Sequence, residues 1–228
     1  NNFARTYELD GYDATTHTSQ IYLSGLGERN SFDMRGYYFD VQDADPDNNA
    51  EKMQPVVLPV IDYDYVSPEA VVGGQLSATF NFTSLSRFKT DAFDSNSDGF
   101  YDRYAGLKGN STRATGELEW KRTITTEGGL QLTPLLAARA DGYGLSMDSP
   151  NDYTGNYYGE GGTGRYMMTA GLEARYPILV TTSNSSHIFE PIAQLYARND
   201  EQLAGRLPNE DAQSFVFDAT NLFERDKF

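Results

Sequence analysis

Three groupings of side chains in this sequence could do chemistry. The run Asp94-Ser95-Asn96-Ser97-Asp98-Gly99-Phe100-Tyr101-Asp102 puts carboxylate or amide oxygens at loop positions 1, 3, 5 and 9, with Gly at 6 for the sharp turn. This is the first part of a calcium loop, with Asp94, Asn96, Asp98 and Asp102 as its metal ligands. The bidentate Glu expected at position 12 is missing, since residue 105 is Ala. The pattern therefore suits a shorter site completed by water or other oxygens, or a merely solvated loop of acidic turn formers. Glu117 and Glu119 alternate with apolar residues, which places both on one face of a strand about 7 Å apart by strand rise and allows a carboxylate pair. Arg113 and Lys121 on the same face turn that pair into an ordinary salt-linked stripe. His17 and His187 are the only histidines; they fall at opposite ends of the pattern described below, and neither has a serine at a recognisable nucleophile spacing. No catalytic residue is expected, so the chain is read as not an enzyme. It requires no cofactor, calcium in the acidic loop being the one candidate ion.

Composition narrows the setting. Lys and Arg number 18 against 33 Asp and Glu over 228 residues, a formal charge of −15. With no excess of cations to replace phosphate counterions, nucleic acid is excluded as a partner. The absence of cysteine removes thiolate zinc, iron–sulfur ligation and disulfides. Mean hydropathy is −0.57, and no apolar run is long enough for a transmembrane helix, although a transmembrane barrel needs only every second residue apolar. The chain starts Asn-Asn without an initiator Met or an apolar leader, as expected of a mature or excised piece.

The elements that must position these residues are strands. Sixteen Tyr, 13 Phe and 21 Gly fit an aromatic-rich, turn-rich β protein. Period-two alternation marks about eight segments, near 17–26, 31–41, 56–66, 74–85, 112–122, 129–141, 165–178 and 187–198. Leu76, Ala78, Phe80 and Phe82 alternate with polar neighbours, as do Ala114, Gly116, Leu118 and Trp120, and then Tyr166, Met168, Ala170, Leu172, Ala174 and Tyr176. Each strand thus has one apolar and one charged face. A soluble β-sandwich alternates in the same way, so periodicity alone leaves both architectures open.

Connection lengths separate them. Links 27–30, 67–73, 123–128 and 179–186 are short, whereas 42–55, 86–111, 142–164 and 199–228 are long. The strict alternation puts all short links at one end of an antiparallel meander and all long ones at the other. Outer-membrane barrels have this asymmetry, with short periplasmic turns and long extracellular loops. Soluble domains keep most links short. The expected fold is an all-β, antiparallel, up-and-down transmembrane β-barrel of the outer-membrane type. On this assignment Tyr65, Trp120 and Tyr176 end strands at the periplasmic membrane interface, and Tyr38, Phe82 and Tyr166 lie at the other. Parity sends Asp33, Arg35, Asp62, Asp64, Arg113, Glu117, Glu119, Lys121, Arg139, Asp141, Arg165, Glu173, Arg175, Glu190 and Arg198 to a polar lumen. Pro59, Pro134, Pro177 and Pro191 each remove a ladder donor, so bulges, strand ends or local breaks are expected there.

Several stretches resemble the LPS-assembly family LptD, also called organic solvent tolerance protein. They are Leu58-Pro59-Val60-Ile61-Asp62-Tyr63-Asp64-Tyr65, Gly73-Gly74-Gln75-Leu76, Glu117-Leu118-Glu119-Trp120-Lys121-Arg122 and Thr169-Ala170-Gly171-Leu172-Glu173. Further on stand Glu190-Pro191-Ile192-Ala193-Gln194, Pro208-Asn209-Glu210-Asp211-Ala212-Gln213-Ser214 and the closing Thr220-Asn221-Leu222-Phe223-Glu224-Arg225-Asp226-Lys227-Phe228. The resemblance, closest to the alphaproteobacterial branch, implies that residues 1–228 are a section of one much larger barrel of about 26 strands. It implies a translocon in the outer membrane of a Gram-negative bacterium, assembling lipopolysaccharide into the outer leaflet beside outer-membrane lipid. A plug lipoprotein like LptE would fill the lumen, and periplasmic bridge proteins would deliver lipid through an N-terminal domain missing here. The lateral gate of the family falls outside this section, and its cysteines are absent. A general diffusion porin, or less so a secreted β-sandwich binding domain, are the alternative readings.

The calcium reading has a direct check. Limited proteolysis of loop 86–111 is expected to slow in calcium relative to chelator, and Asp98→Ala to abolish the difference. Identical cleavage in both conditions removes the site.

Overall fold

A computed structural model describes residues 16–41, 47, 49–93, 103–148, 160–203 and 206–207. Strands dominate, as aromatic and β-branched residues in period two require. They are β1 (Thr16–Leu26), β2 (Asn30–Val41), β3 (Val56–Val66), β4 (Gln75–Arg87), β5 (Asp91–Phe93), β6 (Arg103–Gly106) and β7 (Gly109–Lys121). There follow β8 (Ile124–Thr125), β9 (Gln131–Met147), β10 (Glu160–Arg175), β11 (Ile178–Thr181), β12 (Ser186–Phe189) and β13 (Ile192–Arg198). One short helix, α1 (Asn49–Met53), precedes β3.

The main sheet runs β1-β2-β3-β4-β7-β9-β10-β13, with β8 also on β9. All its pairings are antiparallel. Neighbours in sequence are neighbours in space, the meander that alternating link lengths require. Two differences from the sequence pattern stand out. The long link after β4 carries its own hairpin, β5–β6, and β9 and β10 run on to Met147 and from Glu160, shortening the link between them.

Each proline marks an interruption, for the reason expected: it cannot donate to the ladder. Pro59 lies where the β3–β4 register shifts between Val57 and Val60. Pro134 lies where β9 passes from pairing with β7, which ends at Leu135, to pairing with β8, which begins at Leu132. Pro177 and Pro191 are diagonal neighbours across one hairpin, Pro191 O accepting from the Tyr176 N–H at 3.1 Å, and they separate β10 from β11 and β12 from β13. The register is nevertheless continuous through that gap, Arg175 facing Ile192 and Ile178 facing Phe189.

Register gathers the apolar side chains on one face. Leu23, Met34, Ile61, Phe82 and Ala114 form one row across five strands, and Tyr65, Ala78, Leu118, Ala138 and Met168 another. A sandwich would bury this face under a second sheet. Instead Phe80 is 43% and Leu118 54% exposed, and the other described sheets are only the hairpins β5–β6 and β11–β12.

Where backbone and ring meet closely, glycine is required. A Cβ on Gly171 would sit 2.4 Å from Tyr196 Cδ1 on the facing strand, whereas one on Gly116 meets nothing within 4 Å. Gly171→Ala is therefore expected to lower the urea unfolding midpoint, by about 1–3 kcal/mol of overpacking. Gly116→Ala serves as the neutral control.

Candidate functional site

The face opposite the apolar one carries charge from β2 to β13. One row reads Asp33, Asp62, Asn81, Thr115, Asp141 and Arg165 across β2, β3, β4, β7, β9 and β10. The next reads Asp64, Thr79, Glu117 and Arg139. Arg35 and Arg113 face Val60 and Thr83, and Arg198 faces Thr169. All these residues therefore share the face that parity assigns them, together with Glu119, Lys121, Glu173 and Arg175. Glu190 lies between β12 and β13, outside the strands.

Charges of opposite sign meet within reach along this face. Arg35 pairs with Asp33, and Lys121 Nζ lies 3.3 Å from Glu119. Arg175 bridges Glu173 at 3.2 Å and Glu190 at 2.7 Å, while Gln194 donates to Glu173 at 2.7 Å. Asp33 and Asp62 face each other directly, which on its own is repulsive. The Arg35 pair on Asp33 and the Asn81 amide, donating to Asp62 at 2.7 Å, offset this. Glu117 and Glu119 thus belong to salt-linked rows and not to an isolated acid pair.

The densest cluster surrounds Asp141. Its carboxylate is 3% exposed and accepts from Arg139 Nε at 3.0 Å and Arg165 Nε at 2.7 Å. Arg165 also pairs with Glu201, and its guanidinium stands 5.8 Å over the Tyr143 ring. Asp141, Arg139, Arg165 and Glu201 line a cavity of about 180 Å³ with Arg198 and Asn199. Side-chain amides close its rim: the Met168 N–H donates to Asn199 Oδ1 at 2.6 Å, and the Tyr166 N–H to Gln202 Oε1 at 3.1 Å. These contacts continue the β10 edge beyond Arg198, where β13 stops.

Next to that cluster, toward the long-link end, the same face turns apolar. Tyr143, Leu145 and Met147 pack with Leu107 and Leu207 into the buried core cluster. The links cover this end: Arg87 Nε donates to Met53 O at 2.7 Å, the Lys89 N–H to Lys52 O at 2.9 Å, and Lys89 Nζ to Asn49 at 2.9 Å. Sequence reading stopped this strand at residue 141 and missed the layer. The signal was present in the switch of apolar parity from Leu136, Ala138 and Ala140 to Tyr143, Leu145 and Met147. Glu201, Asn199 and Gln202 gave no such signal, because a loop has no period.

Tyr65 and Trp120 end their strands on the apolar face, and Tyr176, just past β10, is 40% exposed. Trp120 Nε1–H donates to Val71 O at 2.7 Å. His17 pairs with Asp40 in the β1–β2 ladder at the long-link end, while His187 is in β12 beyond the short-turn end. Ser185 Oγ lies 2.9 Å from His187 Nε2, a contact the spacing did not suggest. That hydroxyl also meets Thr182 Oγ1 at 2.7 Å, which makes it a tie within the turn. Asp94, Asn96, Asp98 and Asp102 lie outside the described residues.

The arrangement offers a hydrated wall of mixed charge on one side and an apolar wall on the other. A family model described as LptD, LPS transport system D, matches residues 1–228. No curated protein matches the chain.

Removing the carboxylate at the centre of the cluster leaves two guanidinium groups facing each other. Asp141→Ala is expected to cost about 3–5 kcal/mol, as for other buried pairs broken on one side. Urea unfolding of the refolded chain measures it, with Asp64→Ala, on the same face but exposed, expected to change little.

Proposed function

The chain belongs to the LptD family of lipopolysaccharide transport at the outer membrane, and on that premise we propose that residues 1–228 form a section of transmembrane β-barrel wall. The family is one of transport and assembly proteins and handles lipopolysaccharide. In this reading the apolar rows face hydrocarbon, and the charged rows from Asp33 to Arg198 line a lumen through which the sugar part of lipopolysaccharide passes. No bond is made or broken, so the segment acts as a translocon wall and not as a catalyst. A plug lipoprotein resembling LptE, and bridge proteins on the periplasmic side, are the partners this function calls for, in the outer membrane of a Gram-negative cell.

The observation that carries the proposal is the pair of faces. Among the described residues, an apolar face of large side chains crosses the whole sheet without a covering layer, and a face of mixed charge lies behind it. In water the first would be a liability far larger than a monomer usually exposes. In a bilayer it is the required outer surface, the backbone groups between neighbouring strands satisfying one another and the edges β1 and β13 pairing with the rest of the barrel. The charged face suits water and hydroxyl-rich sugar, because carboxylates and guanidinium groups pair while remaining hydrated. Above it, the Tyr143–Leu145–Met147 layer and the links folded over it would form the outer cover of the lumen. Calcium at Asp94, Asn96, Asp98 and Asp102 is proposed to join the outer loop to phosphate-rich headgroups by reversing the sign of a carboxylate–phosphate contact.

The absence of cysteine makes the test clean. Single cysteines at Leu118 and Glu117 are neighbours in sequence on opposite faces. In the chain inserted into vesicles, Leu118→Cys is expected to react with a lipid-soluble maleimide and resist a membrane-impermeant one, and Glu117→Cys the reverse. Equal reactivity of both with the aqueous reagent contradicts the barrel wall. A conductance of porin size from the complete barrel with its lipoprotein bound favours the diffusion porin instead.

A further inference from the structure

In an acid-rich chain, cations find carboxylates, and here most do. Arg35, Arg139, Arg165 and Arg175, with Lys108 and Lys121, all hold ion pairs, and Arg87 is bonded to Met53 O. Arg29 and Arg122 differ. Among the described residues, neither guanidinium has a hydrogen bond or an ion pair. Topology nonetheless brings the two together. Arg29 immediately precedes β2 and Arg122 immediately follows β7, the strands that flank the β3–β4 hairpin. Both line one open groove of about 370 Å³ at the short-turn end, along with Lys121 and a single carboxylate, Glu69.

The floor of that groove is shaped for the purpose. The turn between β3 and β4 closes with two backbone bonds, Val71 N–H to Gly74 O at 2.8 Å and Gly74 N–H to Val71 O at 2.9 Å. Its two central residues are both left-handed, Val72 at φ 52° and Gly73 at φ 73°, as the tightest hairpin turn requires. A β-branched residue is strained there, and such strain persists only where the surroundings enforce it. Trp120 does so, donating to Val71 O and packing so close to Gly74 that a Cβ would lie 2.6 Å from its ring. The Arg122 guanidinium lies against Gly73, where a Cβ would come 3.0 Å from Nη1. A residue with a side chain at position 73 would push the guanidinium out of the groove.

We propose that Arg29 and Arg122, over the turn 71–74, bind a phosphate group. Two guanidinium forks converging on one groove match the oxygens of a phosphate better than point charges do. With no carboxylate paired to either guanidinium among the described residues, their charge is left for an external anion. The groove lies level with Tyr65 and Trp120, so on the barrel-wall reading above the phosphate belongs to a glycerophospholipid headgroup of the inner leaflet; free inorganic phosphate has the same chemistry. Only the choice of source rests on that reading.

The chain's single tryptophan, Trp120, is braced against the turn that floors the groove and next in sequence to Lys121 and Arg122, so it reports on the groove from beneath. Short-chain phosphatidylglycerol titrated into the full chain in neutral detergent is expected to shift Trp120 emission saturably. Arg29→Gln with Arg122→Gln is expected to raise the apparent Kd at least tenfold, Gly73→Ala several-fold, and Lys108→Gln to leave it unchanged. Inorganic phosphate saturating at the same concentration identifies free phosphate as the source; a response to the lipid alone identifies the headgroup. The site is overturned by no saturable response to either probe, by an equal response to a short-chain diacylglycerol, which lacks the phosphate, or by equal affinity of wild type and the double arginine variant. Vesicle insertion, read by the cysteine pair at 117 and 118, is scored separately. Failure there with phosphate binding intact in detergent removes the barrel wall and leaves the phosphate site.

Discussion

Everything in this sheet depends on one constraint: register held without a net slip from β1 to β13. Side chains alternate with a period of two, so a one-residue slip between any two strands would exchange Glu117 for Leu118 on the face they oppose. The apolar rows and the charged rows would then interleave, and neither face would have a uniform solvent. The β3–β4 pairing shows how the constraint is kept under stress. The register of β3 on β4 steps by one residue between Val57 and Val60, around Pro59, and this step brings Asp62 and Asp64 opposite Asn81 and Thr79 on the charged face. Without that step the register of Val57 would set Asp62 opposite Phe80 and Asp64 opposite Ala78, two carboxylates among the apolar rows, at a cost no neighbour could offset.

The two ends of the charged face are built differently, and this follows from the links. Short turns leave the lower end open, with Trp120 braced on the β3–β4 turn. Long links have enough chain to fold back, and they do so over the upper end. There the face exchanges charge for Tyr143, Leu145 and Met147, while the other side becomes Gly142, Gly144, Gly162 and Gly164. A strand whose large residues change sides has exchanged one apolar environment for another. The Asp141 cluster stands at the changeover, where Arg139 and Arg165 hold a carboxylate that would otherwise be stranded next to an apolar layer. A cavity of planar polar groups at that level joins a hydrated wall to a dry cover.

On the proposed barrel-wall reading the charged face has a purpose, and the chemistry of the face is consistent with it. Paired charges of both signs hold water and present hydrogen-bonding groups without strong net attraction, which lets a polar cargo move along them. The unpaired arginines at the turn end are outside this pattern. Among the described residues neither is matched by a carboxylate, which is the ground on which they are proposed to hold a phosphate.

The sequence by itself determined the strands, their order and their two faces. Alternation at Leu76–Phe82 and Ala114–Trp120 survives any tertiary arrangement because it is a property of the extended backbone, and alternating link lengths leave the meander as the simplest pairing. The prolines announced their breaks for the same local reason. The pairing of particular charges was not legible: Asp141 meets Arg165 only because β9 and β10 align at one register out of several, and Glu201 reaches them from a loop with no period to read. The buried layer on the inner face was half legible, in the parity change after Asp141, but its partners Leu107 and Leu207 come from links far away in the chain. The groove of Arg29 and Arg122 was invisible, since 93 positions separate them and nothing in either segment announces the other. Tertiary structure decided these because contacts between distant segments depend on where whole strands end, whereas periodicity records only what each residue meets beside itself.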